Sequence, residues 1–230
     1  MQRKSKMKKI TALLLAVAIC VCFAGCGEQP IKLTTTSEGY LQDPETESTY
    51  ILCNMSVKAY SIDTSEVYAK EGKREYYRIA FEDPKRFISE SDNIMGGVYR
   101  SAEIPDITIE TFEPIAALIY IVGKGEFAVD QFSAAKEYLE DTSYDFTNYT
   151  DGTVYTEAVV TAILHSEPTE MPQYVDEDET RHIRLLSVKY PGLMYNIIFM
   201  KATNGKSYLY DRGAGVCVLA PDIIVERMIG

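Results

Sequence analysis

Few side chains in this 230-residue sequence offer acid–base or nucleophilic chemistry near neutral pH. Its only histidines are His165 and His182. They flank a polar stretch from Ser166 to Thr180, and hairpin pairing of the segments on either side would bring them together near Glu179. Two imidazoles and a carboxylate could form a metal site, but the expected reading is two ordinary strand-end histidines and no metal. Nucleophilic catalysis needs a hydroxyl or thiol held beside a base. The sequence has no Gly-x-Ser-x-Gly elbow, no His-Glu-x-x-His helix, no phosphate-cradling glycine loop and no calcium loop of spaced acids. Carboxylates remain: with 34 Asp and Glu, a facing pair suited to glycoside hydrolysis is open, although there is no Trp to stack a sugar ring. No cofactor is implied.

The five cysteines carry a different kind of chemistry. Arg3, Lys4, Lys6, Lys8 and Lys9 open the chain with no acid among them, and an apolar run from Ile10 to Ala24 follows, interrupted only by Thr11 and two cysteines. That run is long enough for the core of an export signal and short for a membrane span. It ends in Phe23-Ala24-Gly25-Cys26, which resembles the lipobox of bacterial lipoproteins, with Phe23 standing where Leu is usual. The resemblance covers the first 26 residues only. It implies that residues 1–25 are a signal peptide, that the Cys26 thiol is acylated, and that the lipid holds the protein at the outer face of the cytoplasmic membrane. Cys20 and Cys22 leave with the signal. Cys53 and Cys217 remain, and an exported pair can form a disulfide or stay as two buried thiols.

Removal of residues 1–25 takes five of the 23 basic residues and none of the 34 acids, so the mature chain has 18 basic against 34 acidic residues and a formal charge of −16. A phosphate backbone would be repelled, which argues against a nucleic-acid partner. An anionic bilayer would also repel the folded body, leaving the lipid as its attachment. The acids are scattered apart from Asp176-Glu177-Asp178-Glu179, as a solubility device would be.

These groups need a frame, and patterning predicts an α+β one. Residues 26–47 are rich in Thr, Ser, Glu and Pro and read as a flexible tether, followed by a single domain over 48–230. From Tyr50 to Tyr60 the pattern alternates, with Ile51, Cys53, Met55, Val57 and Ala59 on one face, as in a half-buried strand. A second alternating run places Tyr77, Ile79 and Phe81 on one side and Arg74, Tyr76 and Arg78 on the other, and the two runs could pair across the polar loop Ser61 to Lys73. Ile115 to Val122 is apolar on both faces, as a central strand would be. The main helix is expected from Asp130 to about Asp141, with Phe132, Ala135, Tyr138 and Leu139 at helical spacing, and Thr153 to His165 reads as a long strand. Pro191-Gly192, Asn204-Gly205 and the Arg212 to Gly215 turn predict a C-terminal four-strand antiparallel meander. A short helix beginning at Pro221 closes the chain. In the hairpin at Asn204-Gly205, Met200 would face Leu209 and Phe199 would face Tyr210.

Pro105-Asp106-Ile107-Thr108-Ile109-Glu110 resembles Pro221-Asp222-Ile223-Ile224-Val225-Glu226, so the domain could be two related halves, about 48–142 and 143–230. A true repeat requires the two segments to share one conformation. The 17 Tyr suit half-buried sheet faces and binding surfaces alike. The expected function is a membrane-anchored extracytoplasmic binding or scaffold module for an envelope protein or peptide, with Tyr68 and Tyr174 on the two long loops as its aromatic contacts. The alternative is an envelope hydrolase using carboxylates. An exposed apolar patch would favour the first, and a deep pocket with two facing carboxylates the second.

Overall fold

Alternating apolar and polar residues mark many of the strands of this chain, and in the computed structural model the strands build two antiparallel sheets. The structure describes residues 29–93, 96–121, 128–133 and 153–229, with only the backbone of 128–133. The strands in chain order are β1 (Ile31–Lys32), β2 (Thr34–Thr35), β3 (Leu41–Gln42), β4 (Thr49–Leu52), β5 (Val57–Ala59), β6 (Ile62–Asp63), β7 (Ala69–Glu71), β8 (Arg74–Ile79), β9 (Phe87–Ser89) and β10 (Val98–Ser101). Helix α1 (Ile109–Phe112) precedes β11 (Ala116–Ile121) and β12 (Ala128–Ser133). Then come α2 (Thr153–His165), β13 (Val175–Leu186), β14 (Leu193–Ala202), β15 (Ser207–Asp211), β16 (Val216–Leu219) and α3 (Asp222–Ile229). The fold is α+β with a C-terminal β13–β14–β15–β16 meander, one main helix and a short C-terminal helix, as patterning predicts.

The first sheet follows the path β1–β7–β8–β9–β10–β4–β3–β2, with β6 added on β8. Leu33, just before β2, donates its N–H to the Lys70 carbonyl of β7 at 2.7 Å. One short stretch of chain therefore touches both ends of the path, and the sheet closes into a small barrel. Leu41, Tyr50, Ala69, Tyr76, Ile88 and Tyr99 share one face by register and are all buried. Tyr76 and Tyr99 meet edge to face with centroids 5.6 Å apart, and the Tyr50 hydroxyl donates to the Pro84 carbonyl. Part of the Tyr excess thus fills a barrel, and there the Tyr50 ring packs while its hydroxyl finds a partner.

The opposite face of this sheet, with Ile79, Phe87 and Val98, joins the main core. Against it lies the second sheet, β12–β11–β13–β14–β15–β16, with β5 on β14. Its inner face presents Ala117, Ile119, Ile183, Leu185, Tyr195, Ile197, Phe199, Leu209 and Val218, all buried with Val159 and Ala162 of α2 and Ile224 of α3. β11 is an interior strand, paired with β12 on one edge and β13 on the other, and its Ala117 and Ile119 enter the core.

Several expectations are corrected. The main helix is α2, not a helix from Asp130: Ala128–Ser133 is a strand paired with β11, and the rest of the expected helix lies outside the described residues. Thr153–His165 is helical because its buried residues Thr156, Val159, Ala162 and Ile163 recur at helical spacing, a period masked by β-branched side chains that read as strand. The tether is shorter than expected, since residues 31–42 form strands, with Leu33 only 6% and Leu41 2% exposed. A compact unit begins at Lys32. The expected loop Ser61 to Lys73 contains β6 and β7, and Val175 to Thr180 of the other loop belongs to β13. In β8 it is Tyr76 that is fully buried, while Phe81 is exposed.

The Asn204-Gly205 hairpin is one residue out of the expected register. Phe199 pairs with Leu209 and Met200 with Tyr208, because Ala202 bonds Lys206 across a three-residue loop with Gly205 at φ +81°. The repeat fails its test. After Pro221 the helix begins at once, whereas after Pro105 it begins only at Ile109, following the cap Thr108 with extended φ −105° and ψ 167°.

The single strand expected over Tyr50 to Tyr60 is two, and the chain crosses between sheets from Cys53 to Ser56. Asp211, fully buried, fixes the crossing. Its Oδ1 accepts from Ser56 Oγ at 2.6 Å, Gly213 N–H at 2.9 Å and Ala214 N–H at 3.1 Å, and its Oδ2 accepts from the Tyr195 hydroxyl at 2.7 Å. Asn54 Nδ2 reaches on to the Ile107 carbonyl. A buried carboxylate is tolerable when its lone pairs are filled in this way.

Candidate functional site

Between α1 and α2 lies an open cleft of about 410 Å³. Its first wall begins with Thr108, whose side chain accepts from the Thr111 N–H while the Thr111 hydroxyl accepts from the Thr108 N–H, a reciprocal cap that starts α1. Glu113 ends the helix in the left-handed region at φ 55°. Lys189, from the loop before β14, holds that end: its ammonium donates to the Thr111 carbonyl at 3.1 Å and to Glu113 Oε1 at 2.5 Å. The bond to Glu113 raises the Lys189 pKa.

The second wall is one stripe of α2, in which Thr156, Val160 and Leu164 repeat every four residues beside Glu157 and Thr161. Ile109, Pro114 and Ile115 complete an apolar lining. Glu110, Glu113 and Glu157 stand exposed at the rim. Thr156 differs from them, being 2% exposed with a buried hydroxyl that has no hydrogen-bond partner among the described residues. That oxygen has almost no accessible surface, so it is closed to a group lying in the open cleft. The arrangement can take an apolar group against its walls and a cation at the rim.

No family model matches the chain, and neither a curated protein nor a solved structure resembles it. The site therefore rests on its own geometry.

Residues singled out from sequence are dispersed. Cys26 lies outside the described residues. Cys53 and Cys217 are both free and buried, and they pack in separate clusters, Cys53 in the main core and Cys217 with Met200 and Tyr208. The disulfide is not formed. Burial pushes the Cys53 thiol up to about 12 and also raises that of Cys217. Tyr68 is half-buried within its own sheet, with the Arg78 guanidinium 5.3 Å from its ring centroid. Tyr174 is 66% exposed ahead of β13.

His165 ends α2 and His182 lies within β13, so the hairpin that would have joined them does not exist. Glu179 instead pairs with Lys201 at 2.8 Å. Among the described residues no three His, Cys, Asp or Glu form a metal-binding group. The cleft is hidden in the sequence because its α2 stripe reads as strand. Thr156, Val160 and Leu164, with Glu157 and Thr161, carried the signal at a spacing of four.

Proposed function

We propose that this protein is a membrane-anchored extracytoplasmic lipoprotein, held by acylated Cys26 at the outer face of the cytoplasmic membrane. Its folded body is a binding module for an envelope protein or peptide that presents apolar and basic side chains. The observation that carries this reading is an open apolar cleft between α1 and α2 rimmed by the exposed Glu110, Glu113 and Glu157. Apolar walls reward burial of a partner side chain at about 25 cal/mol per Å². The rim, on a chain of formal charge −16 once residues 1–25 are gone, steers cations inward and repels anions. These carboxylates stand in water and Glu113 is tied to Lys189. That supports selection by charge more than the hydrolase alternative, in which two carboxyls must flank one bond. Tyr174 is an accessible second contact, whereas Tyr68 is engaged in its own sheet.

The test is fluorescence anisotropy with the full-length protein in detergent and a labelled short peptide alternating lysine and leucine. Binding is expected, with its glutamate–leucine counterpart rejected. Glu110→Gln with Glu157→Gln should weaken it about fivefold, as two exposed charges at roughly 0.5 kcal/mol each would. Equal binding of the acidic peptide, or no change in the double variant, refutes the assignment.

A further inference from the structure

The turn after β8 holds an aromatic ring outside the fold. Phe81 has φ +65°, one of three non-glycine residues with positive φ among those described, and is 77% exposed. A bulky side chain is strained in that region, and here the strain is not offset by burial of the ring. Yet the turn is fixed on all sides. Ala80 donates its N–H to the Ser61 carbonyl, and Tyr60 donates to the carbonyl of Gly192. The buried Glu82 carboxylate accepts from the Gly192 N–H at 3.2 Å. A Cβ on Gly192 would stand 2.3 Å from the Ala80 carbonyl oxygen, so only glycine lets the loop before β14 press against this turn.

The same end of the barrel receives the chain from its N-terminal side. Each neighbouring pair round the path from β2 to β7 is antiparallel, and six reversals leave β2 and β7 pointing the same way. Leu33 is level with Lys70. Lys32 therefore lies towards the Ala69 end of β7, which is where β8 runs out to Ile79 and Phe81. Exposed Lys85 and Arg86 lie at this end too, just before β9, with the Arg86 guanidinium 3.5 Å from the Glu82 carboxylate. Fully extended, the six residue steps from Cys26 to Lys32 span at most about 20 Å.

We propose that this end of the barrel faces the lipid surface, with the Phe81 ring entering the headgroup boundary and Lys85 and Arg86 meeting lipid phosphates. The ring gains there the apolar contact it lacks in the fold, and long basic side chains keep their charges in water while their stems lie along the interface. The inference rests on acylation of Cys26 and assigns an orientation to the anchored protein.

Because the sequence has no Trp, Phe81→Trp introduces a single indole. The lipidated full-length variant is reconstituted into vesicles of dibrominated phosphatidylcholine, floated, and its emission compared with that of Val154→Trp, an exposed position on α2. Bromine quenching at least about twofold stronger for Phe81→Trp, with a blue-shifted emission, is expected. Flotation with equal quenching of the two variants overturns the orientation alone. Failure of the parent protein to float overturns the anchor and the orientation together.

Discussion

Replacing Asp211 with Ala should cost about 4 kcal/mol of stability. The carboxylate accepts four hydrogen bonds where the chain crosses between sheets. Without it, the Gly213 N–H keeps a partner, because it also donates to Ser56 Oγ at 2.8 Å. The Ser56 hydroxyl, the Ala214 N–H and the Tyr195 hydroxyl all lose the Asp211 acceptor, and since the two hydroxyls lie close enough to bond each other, two donors are left unpaired. Each buried donor left unpaired costs about 1–3 kcal/mol. Tyr195→Phe removes one donor and leaves three, so it should cost about 2 kcal/mol, the worth of one bond to a charged group. The double variant should fall short of the sum by more than about 1 kcal/mol, since neither partner is then stranded. Urea unfolding of the chain from Gln29 onward, followed by far-ultraviolet circular dichroism, reads all four corners of the cycle. A loss under about 1 kcal/mol for Asp211→Ala, with additive behaviour, would refute the claim that this carboxylate pins the crossing.

Starting the chain at Ser48 removes buried Leu33 and Leu41, each worth roughly 1.5–3 kcal/mol, and should lower the melting temperature by about 10 °C or more for a domain of this size; an unchanged melt would return residues 31–47 to the tether. Burial, and then Arg184, lower the His182 pKa below the 6.5 of a free imidazole. The unfolded chain thus takes up the proton first, and stability present above pH 6.5 should fall on acidification through that value. His182→Gln should flatten the urea midpoint between pH 7.5 and 5.5, and an equally steep profile in that variant would place the effect elsewhere. Cys53 and Cys217, buried with raised thiol pKa values, should resist Ellman's reagent until denaturant is added. Rapid reaction in the native protein would contradict their burial.

What the sequence disclosed depended on whether local pattern and tertiary demand agreed. They agree in the C-terminal meander, where turn residues and alternation coincide, and in β11, whose apolar run reads as an interior strand and is paired on both edges. They conflict in α2: Val159, Val160 and Ile163 favour extended backbone by side-chain stiffness, and only burial against β15 and β16 reveals the helical period. Thr34 and Thr35 resemble linker, yet the chain there supplies the seam of a closed barrel. Nothing local in Ser56 or Asp211 announces that they meet. The alternation from Ile51 to Ala59 even hides the crossing, because it runs unbroken through the four residues at which the chain leaves one sheet for the other.

The meeting of Ser56 with Asp211 spans 155 residues of chain, and its consequence is kinetic. A contact that distant closes late, and folds dominated by such contacts form slowly. If the chain is exported from its N-terminus, Ser56 reaches the far side of the membrane well before Asp211. β4 and β5 then emerge while the bond that assigns them to different sheets cannot yet exist. Such a polypeptide has little means of locking its two layers together until the C-terminal strands arrive, which keeps it threadable during passage and leaves assembly as a single slow event afterwards.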